Sequence, residues 1–142
     1  MDKLRICIGS DDGIGIARTH MGDTKRFFVF DVYEHNDPVF VEERPNTAID
    51  MTHSTSDKRM SVMRILEDVD VFVAARMSPN FKKIAANTRH QPVVVSALAI
   101  KDSLSLVQQS FALIHELVIE RKDGKRIEHI PELVPDSDAA KS

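Results

Sequence analysis

Two apolar runs, Leu4 to Ile8 and Phe27 to Tyr33, enclose Asp11-Asp12-Gly13-Ile14-Gly15-Ile16-Ala17-Arg18-Thr19-His20-Met21-Gly22. Short runs of this kind, rich in Ile, Phe and Val, read as core strands. Three glycines, two carboxylates and a histidine then occupy the connection. A strand followed by a glycine-bearing loop and a second strand restricts the fold more than any other feature of the chain. The loop and its neighbours are the first place to look for a site.

The next elements follow from pattern. Glu34 to Pro38 is a polar turn, and Val39 to Arg44 reads as a third strand. The short connection predicts an antiparallel hairpin. A helix is expected to start between Ser54 and Asp57, with Met60, Met63, Ile65, Leu66 and Val69 as its apolar face. The methionines suit core packing at that spacing. Asp70 to Ala75 is a nearly continuous apolar run, expected as a central strand. Ser78-Pro79 has the form of a helix start, with the helix running through Phe81, Ile84 and Ala85 to about Thr88. Pro92 is expected to help end it. Val93 to Val95 is the fifth strand.

Leu104, Val107, Phe111, Ile114 and Val118 predict one long final helix, capped by Asp102 or Ser103. Lys122-Asp123-Gly124-Lys125 reads as a turn. Ile127, Ile130, Leu133 and Val134 are expected to dock loosely, and Pro135 to Ser142 to be disordered. The order β, loop, β, β, α, β, α, β, α predicts an α/β sandwich around a mixed sheet. Residues 1–121 form the expected domain and residues 122–142 a polar C-terminal extension. Ligands in such sheets bind at the carboxyl ends of strands. Strand one would bring Asp11 and Asp12 there, and strand four would bring Arg76.

Composition removes several functions. At 142 residues the chain suits one domain. Its 19 basic and 22 acidic side chains give a net charge of -3, which argues against general nucleic-acid binding. The sole cysteine, Cys7, lies within an apolar run and reads as a buried small side chain. An intrachain disulfide framework is therefore impossible. No run reaches the length of a membrane helix, and Met1-Asp2-Lys3 leads directly into a strand, so a cytoplasmic location is expected.

Familiar motifs are missing. Gly13-x-Gly15 lacks the strand–turn–helix setting of a dinucleotide fingerprint, and no P-loop occurs. The glycines instead suit a tight loop whose backbone N–H groups could face an anion. His20 could ligate a metal or simply bond to backbone; His53, in the other polar crossing segment, has a weaker claim. Asp11 and Asp12 could bind a cation, orient His20 or cap local backbone. Arg18, Arg76 and Lys25 could each pair with an anionic ligand or remain solvated surface charges. His90 and His115 are lesser candidates. No nucleophile elbow or zinc-protease histidine pair is present.

The loop from Asp11 to Gly22, with the strand to Val32, resembles the dinitrogenase iron-molybdenum cofactor-binding family, which includes nitrogenase accessory proteins. The shared features are the Asp-Gly-rich loop with Ile16-Ala17, His20-Met21-Gly22 and the aromatic strand ending at Asp31-Val32. His53 before a helix and the run Leu66 to Ala74 extend the likeness across residues 4–118. Met21 stands where the family commonly has Phe. Arg76-Met77-Ser78-Pro79 replaces a glycine-rich turn.

The resemblance implies a three-layer ribonuclease H-like fold with a mixed five-stranded sheet. It also implies a small non-catalytic protein that binds an iron-molybdenum or related metal–sulfur cluster. His20 would be the main ligand, with His53 second. Asp12, Gly13, Thr19 and Gly22 would shape the pocket, and the turn from Arg76 to Ser78 would face the same end. Arg18 or Arg76 would stabilise an anionic cluster by charge. A metallocluster donor or acceptor would be the partner, and a homo-oligomer is compatible. The alternative reading is a regulatory or interaction module of the same fold that has lost metal binding. A metal-dependent hydrolase built on Asp11 and Asp12 ranks third.

Overall fold

A computed structural model describes residues 2–18, 23–48 and 55–135. The elements run β1 (Leu4–Ser10), β2 (Arg26–Val32), β3 (Val39–Pro45), α1 (Thr55–Ile65), β4 (Val71–Ala74), α2 (Pro79–Asn87), β5 (Gln91–Val95), α3 (Ile100–Gln109), α4 (Phe111–Lys122) and β6 (Glu132–Leu133).

Among the described residues the sheet has six strands in the order β3-β2-β1-β4-β5-β6. β2 runs antiparallel to both β1 and β3. β1, β4, β5 and β6 are mutually parallel along the order. The expected hairpin and parallel β4–α2–β5 unit are both present, but the expected count of five strands is corrected to six. The extra strand is two residues long and comes from the polar tail, where Glu132 and Leu133 register with Val94 and Val95. So short a strand has no period to read. Ile130 and Leu133 are buried, so this part of the tail docks firmly.

Alternation along the strands sends side chains to two faces. Leu4, Ile6 and Ile8 of β1 join Val71, Val73, Val93 and Val95 under Val107, Phe111, Ile114 and Val118 of α3 and α4. Cys7 faces the other way, with Phe72 and Val94, under Val62, Leu66, Phe81 and Ile84 from α1, α2 and the turn after α1. Helices thus cover both faces. Each fully buried large apolar side chain contributes about 1.5–3 kcal/mol. β3 closes one edge with exposed Glu42 and Glu43, which discourages pairing with another chain.

Two further expectations are corrected. The final helix is two helices, broken at Ser110, whose φ of -106° and ψ of 23° leave the helical region. Apolar spacing is continuous through that break, so periodicity could not reveal it. Neither Asp102 nor Ser103 caps α3, which starts at Ile100. Its entry is held by backbone from elsewhere: Ile100 N–H donates to the Ile14 carbonyl at 2.9 Å. Pro92 lies inside β5, in register with Phe72.

Arg121 is the largest fully buried side chain among the described residues. Its guanidinium donates to Gln91 Oε1 at 2.6 Å and to the carbonyls of Ala85, Thr88 and Ile127. It thereby ties α4 to the end of α2, the start of β5 and the tail. Among the described residues no carboxylate neutralises it, and burial together with Arg126 lowers its pKa to about 10.

Candidate functional site

β1, β4 and β5 are parallel, so their carboxyl ends meet at one end of the sheet. The segments leaving those ends build the candidate site.

The loop after β1 is fixed by its own side chains. Ser10 Oγ accepts from Gly13 N–H at 3.0 Å and donates to the Gly15 carbonyl at 2.5 Å. Asp12 Oδ1 accepts from Ile14 and Gly15 N–H, both at 2.9 Å. These backbone bonds hold the Asp12 carboxyl below its ordinary pKa. Asp11 Oδ1 accepts from Lys25 N–H at 2.9 Å. Gly13 has a φ of 81°, and a Cβ there would lie 3.1 Å from Phe28 Cζ. Both the backbone sign and the ring beneath it demand glycine.

This geometry corrects one expectation. The N–H groups of Gly13, Ile14 and Gly15 donate inside the loop, to Ser10 and Asp12, and are not turned toward an anion. Asp12 likewise caps local backbone, whereas Asp11 holds the more distant Lys25 N–H just before β2.

The same loop is stitched across the sheet end to the segment after β5. Ile16 N–H donates to the Leu98 carbonyl at 3.0 Å, and Gly15 bridges Ala99 in antiparallel fashion. Arg18 is thereby delivered beside the end of β4. There Arg76 donates to the Arg18 carbonyl at 3.4 Å. Both guanidinium side chains are exposed. They line a pocket of about 280 Å³ with Ala75, Val95, Ser96, Ala97 and Leu98. The segment 96–98 is the part of the site that sequence reasoning missed. Its one signal was position, immediately after an apolar parallel strand.

Ser78 stands two residues beyond Arg76 but is buried, and its Oγ accepts from Phe81 N–H at 3.1 Å to cap α2. Pro79 occupies the first turn, as Ser78-Pro79 predicts. Lys25 is exposed and does not line this pocket. Asp23 pairs with Lys58 and ties the far side of the loop to α1. Thr19, His20, Met21, Gly22 and His53 lie outside the described residues.

Other candidates have ordinary partners. His90 is buried, stacks on Phe72 with ring centroids 4.7 Å apart, and donates from Nδ1 to the Val69 carbonyl at 2.6 Å. His115 stacks on Phe111. Cys7 is fully buried in β1, and burial pushes its thiol pKa up. Among the described residues, no group of three or more His, Cys, Asp or Glu is placed to hold a metal ion. Nor, among them, is any helix long and apolar enough to cross a membrane.

The chain is thus an α/β protein with a helix-covered mixed sheet and two arginines at the carboxyl ends of its parallel strands. It belongs to the dinitrogenase iron-molybdenum cofactor family, whose model matches residues 2–110. Members of that family are non-catalytic accessory proteins. The match ends at Ser110, the break between α3 and α4. No curated protein matches the chain.

Proposed function

We propose that this chain is a small cytoplasmic accessory protein that binds or carries an iron-molybdenum or related metal–sulfur cluster as cargo. The observation that carries this reading is the convergence of Arg18 and Arg76 on one pocket at the ends of β1, β4 and β5. Metal–sulfur clusters are anionic, and two guanidinium groups beside a small-residue wall of Ala75, Ser96 and Ala97 attract such charge. The positive end of α2, begun at Ser78 and Pro79, adds to the same field.

Recognition here is by charge and shape. The only thiol is sealed in the core, so metal ligation falls to His20 first and His53 second. Thr19 and Gly22 would contribute to cargo binding in this reading. Asp12 and Gly13 act on the loop's shape, and Ser78 on the position of α2. A metallocluster donor or acceptor protein is the partner that a carrier needs. The ribonuclease H-like architecture implied by the sequence is supported by the order β3-β2-β1-β4-β5, with β2 alone antiparallel to its neighbours in the central part.

The test is anaerobic loading with isolated iron-molybdenum cofactor, followed by desalting and measurement of bound molybdenum and iron. Wild-type protein should retain both metals. His20→Ala should lose most of that retention, and Arg76→Glu should weaken it while making it less dependent on salt than in the wild type. Equal retention by His20→Ala removes the ligand role of His20. Failure of wild-type protein to retain either metal overturns the carrier reading.

A further inference from the structure

α1 and α2, on the sheet face away from α3 and α4, border a groove of about 670 Å³. Arg59, Met60, Met63 and Arg64 line one side, and Lys83 and Ile84 the other. The α1 residues fall at i, i+1, i+4 and i+5, which places them along one flank of the helix. Asn87 and Thr88 continue the α2 side at the same spacing. The groove therefore runs along the helices for about 8 Å, or more than one turn.

Its floor is apolar and adaptable. Ile84 is buried, Met63 is half-buried, and Met60 is 53% exposed. Methionine side chains suit surfaces that mould to a partner. Its rim is basic, with Arg59, Arg64 and Lys83 against one acid, Glu67. Several cations of the fold are matched by carboxylates: Arg5 pairs with Asp31, Arg26 with Glu43, Arg44 with Asp68 and Lys58 with Asp23. Among the described residues, none of the three rim cations has such a partner.

We propose that this groove docks an acidic amphipathic helix of a partner protein. Apolar residues along one face of that helix would seat on Met60, Met63 and Ile84, and flanking carboxylates would meet Arg59, Arg64 and Lys83. Charge complementarity selects this occupant. A nucleic-acid backbone supplies the negative charge but no side chains for the apolar floor. The groove shares no lining residue with the arginine pocket. It draws on the later part of α2, and α2 begins at the pocket end. Docking and cargo binding are therefore separate events on one molecule.

The test uses a labelled synthetic peptide of about 15 residues, long enough to form a helix on binding. It carries Leu at helical i, i+3, i+4 and i+7 spacing and Glu on the flanks. Controls replace Glu by Lys, or Leu by Ser. Fluorescence anisotropy at low salt should show saturable binding of the acidic peptide and at least tenfold weaker binding of both controls. Lys83→Glu and Arg59→Glu, confirmed folded by circular dichroism, should each weaken it roughly fivefold to tenfold. Met60→Ser should weaken it without changing its salt dependence, and Arg76→Ala should leave it unchanged. Equal binding of the three peptides, no binding of the acidic one, or full binding by the double variant Arg59→Glu/Lys83→Glu overturns the proposal. Sedimentation showing a dimer that Lys83→Glu dissociates would assign the groove to a second copy and overturn it as well. So would binding of an oligonucleotide through the same cations in place of the peptide.

Discussion

Arg121 reaches across the bottom of the core to Gln91, donating from Nε to Oε1 at 2.6 Å inside a site where neither side chain sees solvent. Three main-chain carbonyls complete the cage. An arginine matched by carbonyls alone is strongly dependent on geometry, because all four acceptors lose this donor together. Arg121→Met should lower unfolding free energy by about 3 kcal/mol, because buried acceptors are left unpaired. Arg121→Lys should recover little, since one ammonium cannot span the fork. Urea denaturation of both variants measures this, and a loss under about 0.5 kcal/mol in the Met variant would show the cage to be dispensable.

His90 gives the protein a defined acid sensitivity. Burial, set against the Val69 carbonyl, lowers its pKa below the ordinary value. An unfolded chain then binds a proton there that the folded chain does not. Stability should be unaffected by this group above about pH 6.5 and should fall as pH drops below it, until the depressed folded value is reached. His90→Gln should flatten that decline. Denaturation midpoints between pH 7 and pH 5 test it, and identical slopes for the two proteins would refute the assignment.

The pair Arg44–Asp68 acts at lower pH. The hydrogen bond from Arg44 holds the Asp68 carboxyl well below the usual carboxylate range, with Arg5 assisting. A depressed folded pKa contributes stability above the unfolded value of about 3.9 and loses it as pH falls through the folded value. Asp68 is half-exposed, so solvent screening limits the contribution to about 1 kcal/mol. Asp68→Asn should cost that amount at pH 7 and progressively less as pH falls below about 4. A cost independent of pH would place the effect in packing.

Gly13 can be tested by one methyl group. Alanine there must adopt a positive φ while its Cβ presses on the Phe28 ring. Gly13→Ala should destabilise by about 1–2 kcal/mol and weaken cluster retention by shifting the loop that carries Arg18. Thermal unfolding and the metal-retention assay read the two effects separately. Full stability in the variant would mean the loop relaxes freely.

Much of the fold was legible because its strands are apolar runs cut by turn residues. Phe27 to Tyr33 and Asp70 to Ala75 declared themselves this way, and Ser78-Pro79 declared the start of α2. The parts not legible depend on partners distant in sequence. α3 begins at Ile100 because Ile14 accepts its N–H, which no cap residue near Asp102 could signal. Ser110 breaks the last helix inside an unbroken apolar spacing. Arg121 looked like one more charge in a polar stretch, and its burial is decided by carbonyls from three other segments. In the site, Arg76 was legible as the residue after an apolar strand. Segment 96–98 was not, since Ser, Ala and Leu carry no chemical mark and matter only through where β5 ends.

The sealed position of Cys7 bears on how a cargo would leave. With the chain's one thiol out of reach, no covalent or coordinate bond to cysteine has to break at hand-over. In the proposed carrier, exchange would be governed by ionic competition, imidazole ligand substitution and the approach of a better-matched receiver. Under the proposed carrier reading, such a protein would act as a buffer for its cargo, holding it against dilution while yielding it quickly to a thiolate-bearing acceptor.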